Sequence, residues 1–113
     1  SELCQLVVKG MQEKKAQDIV VLNLTGVKNA IADYFVICSG TSDTQIDAIA
    51  DSVDEEVYKA TEVSPWHREG KTQKEWILID YVDVVAHVFK QERRDFYRLE
   101  ELWGDAEFTY VED

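Results

Sequence analysis

The chain is poor in the residues that break or cross-link small folds, and it has no long apolar run. Its 113 residues include 1 Pro, 5 Gly and 2 Cys, which excludes collagen-like, low-complexity and disulfide-rich secreted proteins. No apolar run approaches the ~20 residues of a membrane-spanning helix, and the N-terminal residues resemble neither a signal peptide nor a transit helix. We expect an untargeted, soluble chain that forms one domain over residues 1–113.

Basic residues are also scarce relative to acidic ones. The chain has 12 Lys and Arg against 23 Asp and Glu, which gives a formal net charge of −11. Nucleic-acid-binding proteins present the opposite electrostatic footprint. We therefore predict no direct, specific binding of nucleic acid, and we expect any contact with a ribonucleoprotein to be made to protein.

Side chains that bind metals or act as nucleophiles are few and scattered. Cys4 and Cys38 lie far apart in a chain that needs no disulfide, which favours a reducing compartment. There is no C-x-x-C, and a strand-like segment separates His67 from His87, so a zinc site has little support. We predict no metal, no cofactor and no catalytic residue.

The apolar periodicity predicts a mixed order of elements. In chain order these are a helix from Leu3 to Met11, strands at 18–24 and 33–38, a helix with an apolar stripe from Ile46 to Ala60, a short strand near Pro65, a hairpin of 75–81 and 84–89, and a final helix from 92 to 103. Residues 105–113 form an acidic tail with no predicted element. This order favours an α/β or α+β class over a helix bundle or a sandwich.

The second helix carries two signals besides its apolar stripe. Ser42 and Gln45 form an S-x-x-Q capping box, in which the hydroxyl accepts from a first-turn amide and the Gln side chain reaches back. Acidic residues follow at every fourth position: Asp43, Asp47, Asp51 and Glu55. This acidic stripe is either a solvated face or, less commonly, a binding site for a basic partner.

Two short segments resemble pieces of enzymes. The turn at Ser39–Ser42 could bind an anion, but it has no P-loop Lys, and Gly with a capping hydroxyl often serves geometry alone. Asp80 and Asp83 could hold a divalent ion, as in a nucleotidyltransferase, although turn capping or partner contact is the commoner role for such a pair. His87 has no nucleophile or second acid placed beside it by the local sequence, so we interpret it as structural or interfacial.

The predicted hairpin has two different faces. The side chains of Ile77, Ile79, Val84, Ala86 and Val88 alternate onto one apolar face, which must cover the core. The other face would display an aromatic and apolar centre with a few polar groups: Trp76, Leu78, Asp80, Asp83, Val85 and His87. We expect Trp76 opposite His87 and Leu78 opposite Val85. This composition is typical of a protein-binding patch, although a helix covering the face is an open alternative.

Three runs together resemble the ribosomal silencing factor family, also called RsfS or Iojap-like. They are DYFVICSGTSDTQIDAIAD (33–51), EWILIDYVDVVAHVF (75–89) and RRDFYRLEELWGDA (93–106), and they occur in the family's order over nearly the whole chain. The one departure is Val82, which stands where the family usually has Gly in the hairpin turn.

This resemblance implies a nucleotidyltransferase-like mixed sheet with helices packed on it and without the catalytic carboxylates. It also implies a non-enzymatic translation repressor of the bacterial cytoplasm, which binds uL14 on the large ribosomal subunit and blocks joining of the small subunit when nutrients are short. Carried onto this chain, the contact surface is Trp76, Leu78, Asp80, Asp83, Val85 and His87.

Two other functions stay open at this point. One is a metal-dependent nucleotidyltransferase-like enzyme, and the other is assistance in large-subunit assembly, as in organellar relatives. We also expect a homodimer when the protein is free, because self-association commonly covers a vacant apolar patch.

Overall fold

The computed structural model of the protein describes residues 2–70, 75–91 and 104–112, which form a mixed sheet with helices on one face. In chain order the elements are α1 (Glu2–Glu13), β1 (Gln17–Asn23), β2 (Tyr34–Gly40), α2 (Asp43–Thr61), β3 (His67–Glu69), β4 (Trp76–Asp80), β5 (Val84–Lys90) and β6 (Glu107–Tyr110). The predicted α+β class with a mixed sheet is confirmed. The predicted final helix, 92–103, lies outside the described residues.

The six strands are ordered β3-β4-β5-β2-β1-β6. Among the described strands only β2 and β5 run parallel, while the other four neighbouring pairs are antiparallel. A parallel pair needs a long crossover, and here α2, β3 and β4 provide it. The predicted hairpin is the β4–β5 pair. A short or edge strand was expected at 63–66, around Pro65, whereas the three-residue edge strand β3 begins just after that segment.

The two described helices pack on one face of the sheet. The strand residues that alternate onto this face form one cluster with α1 and α2, and they include Ile77, Ile79, Val84, Ala86 and Val88. The predicted core face of the hairpin is therefore confirmed. A second cluster on the opposite face contains Val20, Leu22, Phe35, Ile37, Val85 and Phe89, against which Trp76 and Leu78 pack.

The helices α1 and α2 approach each other closely at Gly10. A Cβ added to Gly10 would lie 2.6 Å from the Cα of Val53, so only glycine allows this distance. Beside it, the buried hydroxyl of Ser52 donates to the carbonyl oxygen of Gly10 at 2.7 Å. The contact satisfies a polar group while it brings the two backbones together.

The N-terminus of α2 follows the predicted capping box in part. Ser42 Oγ accepts from Gln45 N at 3.1 Å. The Gln45 side chain, however, reaches one residue further back than expected, since its Oε1 accepts from Thr41 N at 2.7 Å. Its Nε2 donates to the carbonyl oxygens of Lys14 and Lys15, which ties the start of α2 to the end of α1. The Thr41 amide is thus already bonded, which favours the structural interpretation of this turn.

The C-terminal segment differs from the prediction. Residues 107–110, taken from the sequence as part of an acidic tail with no element, form β6 and pair antiparallel with β1 from Asn23↔Glu107 to Val20↔Tyr110. The sequence EFTYV at 107–111 alternates polar and apolar residues and is rich in strand-forming types, so this signal could have predicted the strand. Pairing with the open edge of β1 satisfies its backbone.

Cys4 and Cys38 are both buried, and neither forms a disulfide within the described part of the chain. Within the described ranges, neither helix is long and apolar enough to cross a membrane.

Candidate protein-binding surface

The six predicted contact residues all lie on the β4–β5 hairpin or in its turn, but at different depths. Trp76, Leu78 and Asp80 are half-buried, and Asp83 is exposed in the turn. Val85 and His87 are each only 3% exposed. Four of the six therefore reach solvent, and the other two lie beneath them.

The hairpin register differs from the expected one. Trp76 lies opposite Phe89, Leu78 opposite His87 and Asp80 opposite Val85, whereas the alternation predicts Trp76 opposite His87 and Leu78 opposite Val85. The expected pairs were wrong by two residues because the chain reverses at 82–83, one residue later than those pairs require. A shift of two residues leaves each side chain on its face, so the assignment of the faces stands.

Trp76 is held by aromatic neighbours and by one hydrogen bond. Its ring stacks on Phe89 with centroids 5.2 Å apart and an angle of 19° between the planes. Its indole Nε1 donates to Nδ1 of His87 at 3.0 Å. The half-buried indole is therefore fixed on one side and partly open to solvent.

His87 is a buried imidazole in apolar surroundings. Phe35 packs edge-on against it at a centroid distance of 4.6 Å. Burial lowers the pKa of His87 from 6.5 to about 4, so the ring is neutral at neutral pH. Because Nδ1 accepts from Trp76, the single ring proton must lie on Nε2.

The turn between β4 and β5 is strained. Val82 has φ = 76°, a left-handed conformation that β-branched residues rarely adopt. Two hydrogen bonds hold it there: Asp83 N donates to Tyr81 O at 3.0 Å, and Val82 N donates to Asp80 Oδ1 at 2.7 Å. Asp80 thus caps the turn, one of the two roles favoured over metal binding.

The carbonyl of Asp83 also fixes the turn against β2. It accepts from Asp33 N at 2.9 Å and from Tyr34 N at 3.1 Å. Asp80 therefore stabilises the turn through its carboxylate, and Asp83 does so through its main-chain carbonyl. The part of the chain that the structure describes contains no group of three or more His, Cys, Asp or Glu able to hold a metal ion.

The edge strand β3 adds two residues that the sequence pattern does not predict for this surface. His67 lies opposite Asp80 and Glu69 opposite Leu78, so both share the face of Trp76. His67 Nε2 lies 2.7 Å from Glu69 Oε1. A three-residue strand has too little alternation to assign its faces, so only the pairing with β4 reveals them. We define the hairpin surface as His67, Glu69, Trp76, Leu78, Asp80 and Asp83.

The intervening residue of β3, Arg68, faces α2. Its guanidinium donates to Asp54 at 2.7 Å and to Asp51 at 3.0 Å, and Asp54 also accepts from the hydroxyl of Tyr81 at 2.8 Å. Burial alone would lower the pKa of Arg68, but the two carboxylates outweigh it and raise the pKa. Burial, followed by Asp54, raises the pKa of Tyr81. This network joins α2 to β3 and to the hairpin.

The fold and this surface define a small α+β protein with a six-stranded mixed sheet and an aromatic residue half-exposed on one sheet face. A family model described as "Ribosomal silencing factor during starvation" matches residues 1–113. The chain belongs to the ribosomal silencing factor family.

Individual relatives agree with this assignment. The chain is 43% identical over 111 residues to the ribosomal silencing factor RsfS of Halalkalibacterium halodurans, covering 98% of this chain and 93% of that protein. It is 39% identical over 108 residues to the RsfS of Bacillus subtilis, covering 92% and 86%. A crystal structure of a protein from Chromobacterium violaceum superposes with a TM-score of 0.85 at 29% identity, covering 99% of this chain and 92% of that one.

Proposed function

We propose that this protein is a translation repressor that binds the large ribosomal subunit through uL14 and sterically blocks joining of the small subunit under nutrient limitation. Membership of the ribosomal silencing factor family over the whole chain carries the proposal. The action requires affinity and bulk but no turnover, so it needs no catalytic residue.

The hairpin surface supports the proposal through its composition. Trp76 and Leu78 offer a half-buried apolar centre, the arrangement in which aromatic anchors contribute most to binding. The carboxylates of Glu69 and Asp80 lie on the same face beside Leu78, and Asp83 is exposed in the adjoining turn. A partner with basic side chains around an apolar contact fits this arrangement, and the net charge of −11 accelerates encounter with such a partner.

Co-sedimentation and subunit joining test the proposal. The purified protein should co-sediment with large subunits and not with small ones, and it should slow the rise in light scattering when the two are mixed. Binding without any effect on joining, or no binding at all, would contradict the proposal. Magnesium-dependent nucleotide binding measured by calorimetry would support the enzymatic alternative instead.

A second candidate function is assistance in large-subunit assembly. The chain is 32% identical over 101 residues to the mouse protein named "Mitochondrial assembly of ribosomal large subunit protein 1", covering 87% of this chain and 43% of that protein. Retention on immature large subunits, with no effect on the joining of mature ones, would favour this function.

We also propose that the free protein is a homodimer, because a vacant apolar surface favours self-association. Light scattering at high micromolar concentration tests this expectation. A mass of 13.0 kDa, that of a single chain, would contradict it.

A further inference from the structure

The Trp76–His87 pair joins a surface residue to a buried one. His87 is only 3% exposed, so it cannot form a substantial contact with a partner. Its Nδ1 nevertheless holds the indole N–H of Trp76 at 3.0 Å. Any effect of His87 on binding must therefore act through the residues above it, and Trp76 is the one to which it is hydrogen-bonded.

The histidine has an unfavourable environment for stability. Its neighbours across the sheet are Ile37 on β2 and Leu78 on β4, and Phe35 packs against its ring. Among the residues that the structure describes, Nε2 is buried with no hydrogen-bond partner. Because Nε2 carries the proton, it is an unsatisfied buried donor, which costs stability that an apolar side chain would not lose.

We propose that His87 is a positioning residue for partner binding, which fixes the Trp76 indole in its binding orientation. The inference rests on the proposed function, since the partner concerned is uL14. A fixed indole has less rotamer freedom to lose when it meets the partner. The stack on Phe89 restricts the tilt of the indole ring. On that stack the N–H edge of the ring could point towards His87 or away from it, and the hydrogen bond to His87 selects the first orientation.

Two substitutions of His87 distinguish the effect of its hydrogen-bond acceptor, Nδ1, from the effect of the space that its side chain fills. His87→Leu removes the acceptor and the unsatisfied N–H and fills the position with an apolar side chain. His87→Asn retains an oxygen close to the position of Nδ1. We expect His87→Leu to weaken binding of purified uL14 about tenfold without lowering the unfolding midpoint at neutral pH, and His87→Asn to bind within about threefold of the unsubstituted protein. Ile37→Val, a buried neighbour without a polar atom, is the control and should bind normally.

The indole N–H gives a readout that a purely structural role would not move. The chain has 3 Trp, so indole-labelled protein gives three N–H signals, and the one lost in Trp76→Phe belongs to Trp76. Its hydrogen exchange should accelerate in His87→Leu and stay slow in His87→Asn and Ile37→Val.

Trp76→Phe tests the same hydrogen bond if His87→Leu fails to fold, because it removes the indole N–H donor and leaves His87 in place. In the Trp76→Phe background, His87→Leu or His87→Asn should have no further effect on uL14 binding. Additive effects, or normal binding by folded His87→Leu, would overturn the positioning role and leave the proposed function intact. If the unsubstituted protein does not bind uL14, the proposed function fails and the positioning role fails with it, whatever the exchange data show.

Discussion

The indole Nε1 of Trp76 donates to Nδ1 of His87 across a diagonal of the β4–β5 hairpin, at 3.0 Å. The residue directly opposite Trp76 is Phe89, on which the indole ring stacks. The Trp76 side chain therefore contacts two successive residues on one face of β5. Its ring stacks on Phe89, and its N–H donates to His87. This arrangement joins the hairpin surface to the cluster beneath it.

Replacement of Trp76 by Ala should weaken binding to uL14 by a factor of about thirty or more. Because the side chain is half-buried and stacked on Phe89, the change should also lower the free energy of unfolding by about 2 kcal/mol. Binding assays on the folded variant and chemical denaturation measure the two effects. Tyr110→Ala is the matched control, since this 70% exposed aromatic lies on the opposite edge of the sheet. Equal losses in both variants would remove the hairpin surface as the binding site.

The buried His87 should make stability depend on pH. Its pKa is about 4 in the folded protein against 6.5 for the unperturbed group, so the unfolded chain binds more protons between these values. The free energy of unfolding is therefore unaffected by His87 above pH 6.5. It falls by roughly 3 kcal/mol in total as the pH is lowered towards 4, because protonation of His87 favours the unfolded chain. Urea denaturation from pH 7 to pH 4 should therefore show a steeper loss in the unsubstituted protein than in His87→Leu. Parallel profiles would contradict a buried neutral imidazole.

The close approach of α1 and α2 should make Gly10 intolerant of a side chain. Gly10→Ala places a Cβ against the backbone of Val53, which cannot move without separating the helices. We expect a loss of about 2 kcal/mol in the free energy of unfolding. Gly26→Ala is the control, because a Cβ there meets nothing within 4 Å. Thermal unfolding of the two variants checks the difference, and a similar midpoint in both would show that the helices adjust freely.

Asp54 should contribute more to stability than its neighbour Asp51, although both contact Arg68. The side chain of Asp54 is 27% exposed and that of Asp51 is 72% exposed, and only Asp54 also accepts from Tyr81. Asp54→Ala should cost about 2 kcal/mol because it leaves two partly buried donors without their acceptor. Asp51→Ala should cost less than about 1 kcal/mol, as is usual for an exposed ion pair. Denaturant titrations of both variants measure this order, and the reverse order would contradict it.

Relief of the backbone strain at Val82, in the turn between β4 and β5, should stabilise the protein. Val82 adopts φ = 76°, where a β-branched side chain is strained and glycine is not. Val82→Gly should raise the free energy of unfolding by about 1 kcal/mol, even though glycine gains entropy in the unfolded chain. Val82→Ala, which keeps a Cβ, should recover less. A lower thermal midpoint for Val82→Gly would show that the valine side chain contributes packing worth more than the strain.

The local pattern of apolar residues was sufficient to predict much of the fold. The period of the apolar residues predicted α1, α2, β1, β2 and the hairpin, because burial of one face imposes a repeat that is visible in a short window. The same alternation placed Ile77 and Ile79 in the core and Trp76 and Leu78 on the other face, an assignment that survives a register error of two residues. The family resemblance needed only the order of three motifs.

Pairing between distant segments decided the rest. The strand β6 exists because the edge of β1 is open to it, and His67 and Glu69 join the hairpin surface only because β3 pairs with β4. The sequence by itself determined which residues alternate onto each face and which family the chain resembles. The tertiary structure alone decided which residues meet and how deeply each is buried, as for His87. Both depend on contacts between residues far apart in the chain, and no local period records them.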